Sequence, residues 1–225
     1  RRPALRLFAG TLAAAAAILA VARLVPRAEG WRALEVTGGE IALDGEAVRA
    51  TDLARLGPAI MGADALETGA SHVRLALADR YRLDAGPGTR LRPREFARAV
   101  AADEPARLAV EAGEILLWRN PARGGGPLTV ATPAVQIAVT GTVLGVLCLA
   151  DGTCVSVAEG GVTVDCCGGC VQAGESHVHR AGLPCAHHAL AAAPDRAHAE
   201  RLTRFLAELA RTVPDFAAES SPGAR

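Results

Sequence analysis

Apolar positions are arranged in two different ways along this chain, and the pattern changes near residue 35. Residues 7–25 read LFAGTLAAAAAILAVARLV, with no charge before Arg23 and with Arg1, Arg2 and Arg6 ahead of them. A membrane-crossing helix needs about 20 apolar residues, Arg23 can reach the lipid–water boundary along its own stem, and the segment lacks the polar face of a soluble helix. The pattern predicts one transmembrane helix over residues 7–25. A cleaved secretory signal is the competing reading. The arginines upstream place residues 1–6 on the cytoplasmic side and export the rest. Residues 26–34 then read as a linker.

Beyond the linker the period becomes two. Val73, Leu75 and Leu77 fall on one face, as do Val135, Ile137 and Val139, and Cys154-Val-Ser-Val and Val162-Thr-Val continue the alternation. The runs recur every 8–12 residues or so between Gly, Asp and Pro, which favours a sandwich, roll or solenoid over βαβ units. Residues 35–178 are expected to form one all-β domain, an antiparallel β-roll or solenoid-like sandwich. Residues 52–62 carry mixed signals, and Arg94-Glu-Phe-Ala-Arg-Ala-Val-Ala-Ala suits a short helix or an inserted loop. An apolar–glycine–apolar motif recurs at Val36-Thr-Gly-Gly-Glu-Ile, Val110-Glu-Ala-Gly-Glu-Ile, Val157-Ala-Glu-Gly-Gly-Val and, more weakly, Val171-Gln-Ala-Gly-Glu. Glycine accepts positive φ freely, so these are expected to be tight connections between paired strands. Residues 179–194 read as a loop. Residues 195–212 read as a helix, with Asp195 as its cap and Leu202, Phe205, Leu206 and Leu209 as its apolar stripe. Residues 213–225 are small and polar and are expected to be a disordered tail.

Composition narrows the function. Half of the 225 residues are hydrophobic, so a substantial core is available, although aromatics make up only 3%. All 24 basic residues are Arg, balanced by 24 acidic ones. Zero net charge argues against a nucleic-acid partner, which would need cations in surplus. The sequence starts at Arg1 rather than Met, so a preceding segment is expected. No nucleophile elbow, phosphate-binding loop or H-E-x-x-H occurs. Gly124-Gly-Gly lies between prolines with no helix to follow, and Glu111 and Glu114 read as turn acids. No catalysis and no cofactor are expected.

The six cysteines, Cys148, Cys154, Cys166, Cys167, Cys170 and Cys185, all follow residue 147. Outside the cytoplasm they are expected to pair as disulfides, with 15 possible connectivities. Cys166 or Cys167 could close a small loop with Cys170, leaving Cys185 to staple the tail. A two-residue turn at Asp151-Gly152 would put Cys154 opposite Leu149 and Cys148 on the other face, which forbids a Cys148–Cys154 bridge. A three-residue loop would put both on one face. The alternative is a metal site built from Cys167, Cys170, Cys185 and His187 or His188. His177, His179 and His198 are read as solvated, and His72 as an exposed edge residue.

One further set of residues resembles a known family. Thr132-Pro133-Ala134, the pair Gly141-Thr142, Val155 to Val164 with Glu159-Gly160, and Gly174-Glu175 follow the order of motifs in the FecR domain. Upstream, Gly62-Ala-Asp-Ala-Leu-Glu-Thr-Gly is similar to that family's "GD-x-L-x-TG", and Ala78-Asp79 stands where it usually has Asp-Gly. The resemblance runs from about Val36 to Glu175. It implies an all-β extracytoplasmic domain of a transmembrane regulator, some members of which relay envelope signals to an extracytoplasmic-function sigma factor through an anti-sigma region. The expectation is therefore a single-pass protein of the bacterial inner membrane, its bulk periplasmic, meeting a protein partner in the envelope. A structural or ligand-binding envelope module and a metal-binding Cys/His domain are the alternatives.

Overall fold

The computed structural model describes residues 30–213 except 50, 141 and 167. The predicted transmembrane segment and nearly all of the predicted tail lie outside these residues. Among the described residues no helix is long and apolar enough to cross a membrane. In chain order the first elements are β1 (Trp31–Thr37), β2 (Glu40–Leu43), β3 (Glu46–Arg49), helix α1 (Leu53–Gly62), β4 (Leu66–Glu67), β5 (His72–Leu77), β6 (Tyr81–Ala85) and β7 (Arg90–Arg92). Helix α2 (Pro93–Ala101), the long strand β8 (Ala106–Arg119), β9 (Leu128–Ala131), β10 (Gln136–Val139), β11 (Val143–Leu149) and β12 (Gly152–Glu159) follow. The chain continues through β13 (Gly161–Val164), β14 (Gly169–Gln172), β15 (Glu175–Arg180), β16 (Ala186–Ala189) and helix α3 (Arg196–Thr212).

The strands form two layers that share β8. Its first half pairs with β7 and β9, its second half with β6 and β11. The layer we call sheet A runs β1-β5-β6-β8-β11-β12-β15-β16, and sheet B runs β3-β2-β4-β7-β8-β9-β10-β13-β14. Pairing is antiparallel except between β8 and β9, which are parallel. That departs from the wholly antiparallel expectation: β9 is reached through the turn at Pro121–Arg123 rather than by a hairpin.

The expected hairpin glycines do something else. Gly38-Gly39 carries the chain from β1 in sheet A to β2 in sheet B, Gly160 from β12 to β13, and Gly174 from β14 back to β15. Gly113 lies within β8, where that strand leaves sheet B for sheet A. All have positive φ, between 77° and 94°. The recurring motif is therefore a corner between layers, not a turn between paired strands. Gly113 shows why glycine is required: a Cβ there would lie 2.5 Å from the Thr89 Cα and 2.7 Å from the Gly88 carbonyl oxygen.

Period-two burial holds where it was read. Val73, Leu75, Leu77, Ile137 and Val139 are buried in one core with Leu83, Ile115, Leu117, Val155 and Val164. One end is filled by the helices. Asp52 caps α1 by accepting from the amides of Ala54 and Arg55, and Pro93 opens α2 where no amide donor is needed. Phe96, fully buried, packs 5.6 Å from the Trp31 ring and 5.1 Å from Tyr81, a burial worth roughly 2–3 kcal/mol. The stretch Arg94 to Ala102 is thus mainly helical. Strand β1 already begins at Trp31, inside the expected linker, and β16 lies inside the expected loop 179–194.

Helix α3 forms as expected. Asp195 accepts from the amide of His198 at 2.8 Å, and Leu202, Phe205 and Leu209 meet Leu116, Trp118 and Val143 on the outer face of sheet A. This cover explains why alternate positions on the central strands are buried on both faces.

Candidate functional site: a cysteine and histidine cluster between the sheets

Chemistry-bearing side chains gather where the β13–β14 connection of sheet B meets the β15–β16 edge of sheet A. The β13–β14 connection supplies Cys166. Strand alternation places His177 and His179 of β15 on one face, His187 of β16 is paired with His177, and the loop before β16 supplies Cys185. The Cys166 and Cys185 Sγ atoms are 3.4 Å apart. His177 Nε2 lies 3.4 Å from Cys166 Sγ, and His179 Nδ1 lies 3.5 Å from Cys185 Sγ. His177 Nδ1 is 3.1 Å from His187 Nε2, their rings meeting edge to face. His177 is fully buried. Burial, then the neighbouring His187 and His179, lowers its pKa below the usual histidine value, so it is held as neutral imidazole.

This differs from the expected metal set. Cys167 lies outside the described residues. Cys170 is paired with Thr163 and exposed, its Sγ 3.8 Å from the Thr163 Oγ1, so alternation carries it away from Cys185. Cys185 and His187 do belong to the cluster. His177 and His179, read as solvated, belong to it as well. Their signal was His-x-His on an alternating strand, which sets both imidazoles on one face.

The other cysteines are separate. The β11–β12 turn is Ala150-Asp151, with Leu149 opposite Gly152 and Leu147 opposite Cys154. The register is shifted by two from the one expected, and parity is kept: Cys148 and Cys154 point to opposite faces. Burial pushes the Cys148 thiol up to about 11 and raises that of Cys154 against hydrogen bonds from Ser176 and Ser156. Among the described residues no two Sγ atoms stand at the roughly 2.05 Å of a disulfide.

A second polar group lies under α3. Glu114 on β8, read as a turn acid, is buried; its Oε1 is 2.5 Å from His198 Nδ1 and its Oε2 2.6 Å from Arg201 Nε. The Arg201 contact is an ion pair without hydrogen-bond alignment, and His198 Nε2 is buried without a partner. His198 is fully buried, not solvated. Along the same face Arg74 pairs with Glu208 of α3 at 2.6 Å and with Asp84 at 3.3 Å. His72 meets Asp84 at 2.5 Å, and this contact raises its pKa. It is a half-buried ion-pair residue rather than a free edge.

Residues 64–163 match the family model described as FecR protein. That stretch, which begins just after α1 and ends in β13, is similar to the FecR family. Its motif residues have structural work. Thr68 is buried, donates to the Gly86 carbonyl at 2.8 Å and accepts from the Thr89 amide. Thr132 accepts from the Val135 amide at 3.0 Å and reaches Thr153 of sheet A at 2.9 Å. Thr142 donates to the Gly161 carbonyl. The cysteine and histidine cluster and α3 both lie beyond the matched stretch.

No curated protein matches the sequence. Among solved structures, two crystal structures of a protein assigned as an anti-sigma factor from Parabacteroides distasonis are similar. One is 21% identical, with a TM-score of 0.47 over 56% of this chain and 59% of that one. The other is 22% identical, with a TM-score of 0.45 over 54% and 56%. The chain thus spans little more than half the length of these relatives.

Proposed function

We propose that the protein is a membrane-anchored, non-catalytic regulator of the FecR type. In this reading the β domain stands on the periplasmic side of the bacterial inner membrane and meets a protein partner there. The helix over residues 7–25 passes its state to a cytoplasmic anti-sigma region and so to a sigma factor. The observation that carries the proposal is the FecR match over residues 64–163. The apolar run at 7–25 with arginines before it supports the anchored topology. The test is transcript profiling of a strain whose copy of the gene lacks the codons for residues 64–163. A coherent change in one promoter class, reversed by the intact gene, is the expected result. An unchanged transcript profile, with altered envelope integrity alone, refutes the regulatory role.

A further inference from the structure

The cluster between the sheets lies outside the FecR-matched stretch, and its chemistry is that of a metal centre. Cys166 Sγ, His179 Nδ1 and Cys185 Sγ all lie within 4.8 Å of one another. In a tetrahedral zinc site with Zn–S near 2.3 Å and Zn–N near 2.0–2.1 Å, ligand atoms are separated by roughly 3.4–3.8 Å. The measured separations are 3.4 Å for Cys166–Cys185, 3.5 Å for Cys185–His179 and 3.4 Å for Cys166–His177. Thiol and imidazole groups in hydrogen-bond contact share this spacing, so it is the convergence of two thiols and two imidazoles on one point that marks a metal-binding set. The donors also come from three separate segments: the β13–β14 connection, strand β15 and the loop before β16.

We propose that Cys166, His179 and Cys185 bind a thiophilic divalent cation of the Zn2+ class, and that His177, which lies outside this set of three but against Cys166, turns in as the fourth ligand. Each residue suits its role. His177 is fully buried, its Nε2 faces the Cys166 thiol at 3.4 Å, and its Nδ1 is already engaged by His187 Nε2 at 3.1 Å. A ring nitrogen fixed in this way orients the other toward the metal. His187 is exposed and leaves a route in from solvent. Binding turns both thiols into thiolates and releases two protons, while the imidazoles bind as they are. The ion would tie a connection of sheet B to the last two strands of sheet A, which share no ladder with it. It would thereby close one end of the sandwich. The inference does not depend on the regulatory reading, and its failure would leave that reading standing.

The test uses the full chain, reduced and then titrated with Zn2+ or Co2+. One equivalent of Zn2+ should bind, two thiols should become protected from a thiol reagent, and Co2+ should give a thiolate charge-transfer band with the intense visible absorption of tetrahedral coordination. Cys166→Ser and His179→Ala should abolish the band. Cys170→Ser should leave it unchanged, which controls for thiols at large. His187→Ala should weaken binding by about ten- to a hundredfold. Because a cysteine variant can fail by misfolding, the Co2+ spectrum of the unaltered chain decides independently. Absence of a stoichiometric tetrahedral cobalt spectrum overturns the proposal. So does binding that survives loss of both Cys166 and His179, or a Cys166–Cys185 disulfide in protein isolated without reductant from metal-replete cells.

Discussion

The contact between helix α3 and sheet A depends on a carboxylate that can be removed cleanly. Glu114 has 8% of its side chain exposed, His198 none and Arg201 37%. Glu114→Ala leaves the Nδ1 of a fully buried imidazole without its carboxylate partner, and a guanidinium at the surface. Removing one member of a buried ion pair costs about 3–5 kcal/mol, but Arg201 can rehydrate and should contribute little. The expected loss is therefore about 3 kcal/mol, or roughly 6–12 °C in Tm for a domain of this size. Glu114→Gln, which keeps an acceptor for His198, should cost about half as much. In a double-mutant cycle, Glu114→Ala and His198→Ala should be non-additive by about 1.5–3 kcal/mol. Hydrogen exchange should locate the damage: amides of α3 should open early while those of β8 and β11 stay protected. A Glu114→Ala protein within about 0.5 kcal/mol of wild type, or an additive cycle, would show that α3 is held by its apolar stripe alone.

Three further outcomes follow from the same structure. Gly113→Ala forces a side chain into positive φ and against Thr89, so it should cost about 3 kcal/mol; an unchanged urea midpoint would refute the corner assignment. In the reduced native protein, exposed Cys170 should react with a thiol reagent well before half-buried Cys148 and buried Cys154, both of which carry raised pKa values; equal rates would contradict the register of β11 and β12. His72 has its folded pKa raised by Asp84, so its stabilisation is complete below the unfolded value near 6.5 and lost as pH rises through the folded one. The Tm difference between wild type and His72→Gln should therefore shrink from about pH 5 to pH 9, and a difference that grows would refute the contact.

The apolar alternation was legible because it depends on burial alone: Val73, Leu75 and Leu77 had to share a face wherever β5 paired. The layer each strand joined was not, because a hairpin and a corner between sheets both call for glycine at positive φ. Only non-local pairing separates them. Reading Gly113 as a turn also hid Glu114, whose burial depends on a helix more than 80 residues later. Helix α3 was readable from its own stripe and its Asp195 cap. In the cluster, the close spacing of Cys167 and Cys170 drew attention to a pair that strand alternation separates from Cys185. Gly182 and Pro184 disguised β16 as loop, which removed the strand that sets His187 against His177. The FecR motif itself was legible through Thr68, Thr132 and Thr142, whose hydroxyls bind turns that the local sequence already announces.

In the proposed topology this β domain works on the far side of a membrane from the transcription it informs. The most direct measurement is the activity of alkaline phosphatase, set against the fluorescence of green fluorescent protein, each fused after Arg225 in the native gene. An active phosphatase and a dark fluorophore in the membrane fraction are expected. A fluorescent fusion with an inactive phosphatase would place the domain in the cytoplasm and contradict that topology.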